Sequence, residues 1–178
     1  QLTGAAKASS LANLQLRMPI VVIGGGLTAI DTATESLAYY VVQVDKFLER
    51  YQKLAAEKGE AAVRAAWNQE EAGTADEFIE HARAIRAERE CAAQEGRKAN
   101  LIALLHSWGG ATIAYRRRLI DAPSYTLNHE EVAKALEEGV RFAEGVTPDE
   151  VEIDAYGHAA ALLVKKAGGE IVRLPARS

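Results

Sequence analysis

The first stretch with a clear hydrophobic pattern is residues 19–31, where an apolar run of strand length precedes three glycines and a helical pattern. The run Ile20–Ile23 consists of β-branched residues only, which favours a buried strand. Apolar side chains then recur at helical spacing and predict a helix over 27–39 that packs against the sheet. A strand, a glycine loop and a helix are the opening of a βα unit.

The segment 42–107 has a helical pattern, with apolar residues on one face and charged residues on the other. Its first apolar stripe ends at Gly59. Thr74 and Glu77 have the spacing of a capping box, which predicts a second long helix that continues to Gly96. Shorter pieces are predicted over 61–67 and 101–105. Because such amphipathic helices usually pack on a host domain, we interpret 42–107 as a helical insertion.

Strand chemistry returns after residue 110. The run 111–115 is short, apolar and β-branched, and it predicts a second strand. Asn128 and Glu131 have the spacing of another capping box, so a helix is predicted from there to Gly139. The closing strands are predicted at 150–154, 159–165 and 170–174. The fold class is therefore α/β: a Rossmann-like parallel sheet with a β-meander, carrying the insertion between the first and second strands of one domain, 1–178.

Composition excludes several classes of function. The formal net charge of −4, with interspersed signs, offers no basic face for nucleic acid or an anionic membrane. No apolar run reaches the roughly 20 residues of a membrane span, and no signal peptide is visible, so a cytoplasmic protein is expected. A lone cysteine, Cys91, cannot form an intramolecular disulfide or a C-x-x-C site. The scattered histidines predict no metal site, and no catalytic triad is visible.

The glycine loop carries the clearest chemistry. Gly24, Gly26 and Ala29 fit the spacing G-x-G-x-x-A, in which the first glycine makes a tight turn and the second lets a pyrophosphate approach the backbone. Ala29 is small enough for close packing of helix on strand. The N-terminal N–H groups of that helix would face the phosphates, and the pattern therefore predicts a dinucleotide site. A plain glycine-rich turn is the alternative.

The second strand ends in Tyr115-Arg116-Arg117, followed by a third arginine. In a dinucleotide-binding sheet this position reaches the adenosine ribose, where a guanidinium grips a 2′-phosphate and favours NADP(H) over NAD(H). The arginines lie far beyond the usual distance from the glycines, a discrepancy that the insertion explains. Tyr115 could stack on adenine or fill a groove at the sheet edge, and the arginines could instead form a basic surface edge.

These residues together resemble a known family. Residues 22–31, the Tyr115-Arg-Arg run and residues 131–140 are similar to the NAD(P)H-binding domain of glutamate synthase small-subunit-like flavoprotein oxidoreductases, in the pyridine nucleotide-disulfide oxidoreductase superfamily. The resemblance covers about 19–41 and 109–175. It implies the following cofactor-binding residues: Gly24, Gly26, Thr28, Ala29, Arg116 and Arg117. Gly25, Leu27 and Tyr115, which lie in the same loop and at the end of the second strand, are predicted to bind the cofactor with them. Leu27 departs from the Asp or Asn usual in the family.

The resemblance also implies a reaction, hydride transfer from the nicotinamide to an FAD held by a separate domain of a parent protein. The chain begins at Gln1 without methionine and carries no second glycine fingerprint, so we expect a fragment that binds no FAD tightly and has no turnover alone. No catalytic residue is predicted within it. The alternative is an interaction module in which the nucleotide site is vestigial and the insertion binds an electron-acceptor protein or a second copy of the chain.

Overall fold

A computed structural model describes residues 14–178; the linker or short helix predicted over 1–18 therefore lies largely outside the described residues. The elements are β1 Ile20–Ile23, α1 Leu27–Lys58, α2 Glu60–Ala65, α3 Gln69–Gln94, α4 Leu101–Ser107, β2 Ala111–Tyr115, a 3-10 turn Leu119–Asp121, α5 Pro123–Glu137, β3 Arg141–Glu144, β4 Val146–Ile153, β5 Ala159–Lys166 and β6 Ile171–Pro175. The predicted α/β class is confirmed, and α1–α4 all lie between β1 and β2.

The first sheet is parallel, with strand order β1-β2-β3. Ile20 pairs with Ala111, and Thr112 pairs with Arg141. The predicted strands β1 and β2 are confirmed. β3 is absent from the sequence-based prediction, because it has only four residues, Arg-Phe-Ala-Glu, whose charged ends are exposed and give no strand pattern.

The second sheet is the predicted meander, with antiparallel order β4-β5-β6. β4 begins at Val146, four residues before the predicted start, and its register is irregular after Pro148, which has no N–H to give to the ladder. Val146, Leu162 and Val164 form a small core with Ala114 of β2. The meander therefore packs against the parallel sheet through this cluster.

The helix after the glycine loop is longer than predicted. Instead of one helix over 27–39 and a second stripe after it, α1 runs unbroken through Leu27–Lys58, and it ends at Gly59 as predicted. Residues 39–42 are aromatic and β-branched, but Tyr39, Tyr40 and Val41 are buried and packing keeps them helical. The predicted insertion boundary at 42 falls inside this helix.

Both predicted capping boxes are wrong. The Asn68 side chain accepts from Glu71 N–H, and the Glu71 carboxylate accepts from Asn68 N–H, both at 2.9 Å, so α3 begins there rather than at Thr74. α5 begins at Pro123, where the missing proline N–H costs nothing in the first turn. Asn128 is a non-helical kink inside α5.

The helical segment is fastened to the rest of the domain. The Glu77 carboxylate on α3 accepts from Arg17 at 2.6 Å and from Arg177 at 2.8 Å, and these two arginines lie just before β1 and just after β6. His106 Nε2 on α4 lies 2.7 Å from the Gly139 carbonyl before β3. The Arg177 N–H also donates to the Pro19 carbonyl at 2.8 Å. Among residues 14–178, no helix combines the length and apolarity needed to cross a membrane.

Candidate functional site

The glycine loop, residues 24–26, connects the carboxyl end of β1 to the start of α1. Gly24 continues the ladder, because its N–H donates to the Ala114 carbonyl at 3.1 Å. Its φ is 151°, and a Cβ there would lie 3.3 Å from the Ala29 side chain. Gly24 therefore allows the turn, and Ala29, which is buried, allows α1 to pack close, as the sequence predicts.

The start of α1 is uncapped by any side chain. Gly26 is the N-cap, and its carbonyl accepts from Ala29 N–H at 3.0 Å. No acidic residue lies in the first turn of α1, and a Cβ at Gly26 would meet nothing within 4 Å. Leu27 and Thr28 are exposed. The positive end of the helix dipole therefore has neither a side-chain cap nor an acidic residue in the first turn to compensate it, which suits an anion.

Tyr115, at the end of β2, lies against the glycine loop. A Cβ at Gly25 would overlap the ring of Tyr115, so only glycine fits beneath that ring. The sequence left open whether Tyr115 stacks on a nucleotide base or fills a groove. In the structure its ring packs on Gly25, and this contact positions the ring next to the loop.

The three arginines after β2 differ in their partners. All three are exposed, and Arg118 forms a bidentate ion pair with Asp121, at 2.9 and 3.2 Å. Within the described part of the chain, the guanidinium groups of Arg116 and Arg117 have no hydrogen bond or ion pair. The Arg118 guanidinium also holds the pKa of Asp121 below its usual range, so this carboxylate stays ionised. Two cationic groups thus remain available at the carboxyl edge of β2.

Ser124, which sequence reasoning missed, completes the surroundings of the loop. Its hydroxyl donates to the Gly25 carbonyl at 2.9 Å and its N–H lies 3.3 Å from the same oxygen. The side chain is 1% exposed. The only signal available in the sequence was Pro123, which marks a helix start at this point.

Several apolar side chains on the elements that meet at this edge of the sheet are exposed. Leu127 is 77% exposed and Ile23, the last residue of β1, is 57% exposed. The other members of this exposed apolar rim are Leu27, Ile120 and Tyr125. Exposed apolar groups beside an uncapped helix start and free arginines form a mixed surface that can hold both rings and phosphates.

A concavity of about 400 Å³ lies between α1 and α3, away from the glycine loop and the arginines after β2. Its polar lining is largely engaged within the chain. Glu70 lies 2.7 Å from His158 Nε2, Glu71 belongs to the cap of α3, and the amide of Gln43 pairs with the backbone of Leu16 at 2.7 and 2.8 Å. With those groups satisfied, this concavity presents few free polar groups to a ligand.

The apolar faces of the helical segment point inward. Val44, Leu48, Phe78 and Ile79 are at most 4% exposed, and Phe47 packs against the same core. The interaction-module hypothesis requires an exposed apolar stripe on these helices. Because four of these residues are buried and Phe47 is partly buried against the same core, they form no exposed stripe, which weakens the hypothesis.

His81, expected on a charged helix face, is instead buried on α3. Tyr40 Oη lies 2.6 Å from His81 Nδ1, and the Trp108 ring stacks on the imidazole with centroids 3.8 Å apart. Burial lowers the pKa of His81 to about 4 and raises the pKa of Tyr40. The imidazole is therefore neutral at pH 7 and works as part of the core.

Comparison with known proteins adds one relative. No family model matches the chain. The chain is similar to "Uncharacterized protein RP006" from Rickettsia prowazekii (strain Madrid E), with 39% identity over 159 residues. That match covers 89% of this chain, so it takes in most of the helical segment, and 20% of the relative. The chain therefore spans about one fifth of the length of this relative.

Proposed function

We propose that this chain is the NADPH-binding part of an FAD-dependent oxidoreductase, built on a Rossmann-like sheet. The observation that carries the proposal is a pair of guanidinium groups, Arg116 and Arg117, at the carboxyl edge of β2, neither of which has a hydrogen bond or ion pair within the described residues. The neighbouring strand, β1, leads into the glycine loop and the uncapped start of α1. In doubly wound sheets, ligands bind outside the carboxyl ends of the strands.

The residues present fit the phosphates of such a cofactor. Space around Gly26 lets the pyrophosphate approach the backbone, and the first-turn N–H groups of α1 can donate to its oxygens. The two guanidinium groups suit the 2′-phosphate, because a planar fork of N–H donors matches phosphate oxygens bidentately. Arg118 contributes less, since Asp121 already occupies its donors.

The role of the chain in the reaction is positioning. The bound NADPH supplies a hydride, and the acceptor is a flavin held by a part of the parent protein outside this chain. The residues here hold the phosphates, so they fix where the nicotinamide lies relative to that flavin. The exposed apolar rim around Ile23 and Leu127 can cover the rings of the cofactor and exclude water.

The test is a calorimetric titration of the chain with NADPH and NADH. We expect tighter binding of NADPH, and we expect the double variant Arg116→Ala/Arg117→Ala to lose that preference while NADH binding changes little. Arg118→Ala is the matched control, because that guanidinium is already paired with Asp121. Equal affinities of the unmodified chain for the two cofactors would refute the choice of NADPH, and no binding of either would refute the proposed function.

A further inference from the structure

The eight residues between Tyr115 of β2 and Ser124 of α5 are held at both ends by the same loop residue, Gly25. Tyr115, just before this segment, packs its ring on Gly25. Ser124, just after it, donates its hydroxyl to the Gly25 carbonyl at 2.9 Å. We name residues 116–123 the arginine segment, because Arg116 and Arg117 are its first members.

The arginine segment is also shaped from within. The Asp121 N–H donates to the Arg118 carbonyl at 3.0 Å, and the side chains of these two residues form their ion pair across the 3-10 turn. The Arg117 carbonyl accepts from Gly145 N–H at 3.2 Å, which ties the segment to the loop after β3. These bonds hold the arginine segment in one arrangement, with both of its ends against Gly25.

From this arrangement we infer that Ser124 is a positioning residue that couples the two phosphate subsites of the proposed NADPH site. The inference rests on the proposed function. By holding Gly25, Ser124 and Tyr115 fix the distance between the glycine loop and the guanidinium groups of Arg116 and Arg117. The pyrophosphate and the 2′-phosphate of one cofactor molecule can then bind together without reordering the segment.

Coupling of the two phosphate subsites by Ser124 predicts a different result from simple support of the glycine loop. If Ser124 only stabilised the glycine loop, its loss would weaken the pyrophosphate contacts by the same factor whether or not Arg117 is present. If it sets the relative position of the two subsites, its loss also reduces what Arg117 contributes to binding of the whole cofactor. A double-mutant cycle measures this difference directly.

The experiment determines the NADPH dissociation constant of the unmodified chain, Ser124→Ala, Arg117→Ala and the double variant. We expect Ser124→Ala to weaken NADPH about fivefold, the loss of one hydrogen bond. We expect Arg117→Ala to weaken NADPH at least threefold less in the Ser124→Ala background than in the unmodified chain. Adenosine 2′-phosphate, which has no pyrophosphate, should bind Ser124→Ala and the unmodified chain within about twofold of each other.

Thr126→Ala is the matched control. The Thr126 hydroxyl lies in the same helix, but it donates to the Ala122 carbonyl at 3.3 Å and not to the glycine loop. If Ser124→Ala does not fold, Tyr115→Leu removes the other contact with Gly25 and should reduce the contribution of Arg117 in the same way. Additive effects in the cycle, with normal NADPH binding by the unmodified chain, would overturn the coupling alone. Absence of NADPH binding by the unmodified chain would overturn the proposed function and the coupling together.

Discussion

The carboxyl edge of the parallel sheet and the helical segment α1–α4 satisfy their side chains in opposite ways. At the edge, the guanidinium groups of Arg116 and Arg117 have no hydrogen bond or ion pair within the described residues, the start of α1 is uncapped, and Leu127 is 77% exposed. In the helical segment, apolar side chains are buried, and Glu77 holds two arginines. A region whose polar groups are paired and whose apolar side chains are buried stabilises the fold. A region whose hydrogen-bond donors have no acceptor within the chain can donate them to a ligand.

The largest expected difference is in stability. Leu48, 1% exposed on α1, lies in the main core, so Leu48→Ala should lower the free energy of unfolding by about 3 kcal/mol, from lost burial and a residual cavity. Leu127→Ala at the carboxyl edge should change it by less than about 0.5 kcal/mol. Urea unfolding followed by circular dichroism measures both. A similar loss for the two variants would break the contrast between the regions.

Glu77 tests how firmly the helical segment is held. Its carboxylate lies between Arg17 and Arg177, with side-chain exposures of 16%, 20% and 34%. Glu77→Gln keeps the shape but leaves two partly buried guanidinium groups without a counter-charge, so we expect a loss of about 2 kcal/mol in unfolding free energy. Glu80→Gln, on the same helix but exposed, should cost little. Equal effects of the two substitutions would show that the ion pairs contribute nothing specific.

The buried imidazole of His81 predicts a dependence of stability on pH. The pKa is about 4 in the folded chain against 6.5 for a free histidine, so between these values the unfolded chain binds a proton that the folded chain does not. Stability should therefore fall by about 2 kcal/mol as the pH drops from 6.5 to 4, and this group should add almost nothing further above about pH 7.5, where the unfolded chain is also deprotonated.

The comparison with His81→Gln isolates that contribution, because the carboxylates titrate in both proteins. Unfolding free energies measured across this pH range should decline more steeply for the unmodified chain than for the variant. Parallel pH profiles would show that His81 is protonated in the folded chain and contradict its burial behind Tyr40 and Trp108.

The sequence predicted those parts of the fold whose signal is local. The β1–glycine loop–α1 unit, β2 and the meander follow from apolar runs bounded by glycines. β3 could not be predicted, because its four residues become a strand only through pairing with β2. The cap at Asn68 was missed because Thr74 and Glu77 have the same spacing as Asn68 and Glu71. In the structure Glu77 forms ion pairs with Arg17 and Arg177 and does not cap a helix.

The candidate site also combines features that the local sequence predicts with contacts that it does not predict. The glycine spacing and the arginine run are readable in the chain, but the difference between Arg117 and Arg118 is not, since it depends on the 3-10 turn that brings Asp121 to Arg118. Ser124 was missed for a related reason: its partner, Gly25, lies 99 residues earlier. Contacts across such separations have no periodic signal in the sequence.

The smallest expected effect concerns Asp121, which forms an ion pair with Arg118 but not with Arg116 or Arg117. Asp121→Asn removes a negative charge beside the proposed 2′-phosphate position and releases the Arg118 guanidinium from its ion pair. We expect NADPH to bind about threefold more tightly and NADH to bind unchanged, with the gain shrinking as salt rises, because the groups are exposed and screened. Fluorescence titrations at low and high salt measure this. Tighter binding of both cofactors by the same factor would mean that Asp121 acts on a feature they share, and the 2′-phosphate would then lie away from the arginine segment.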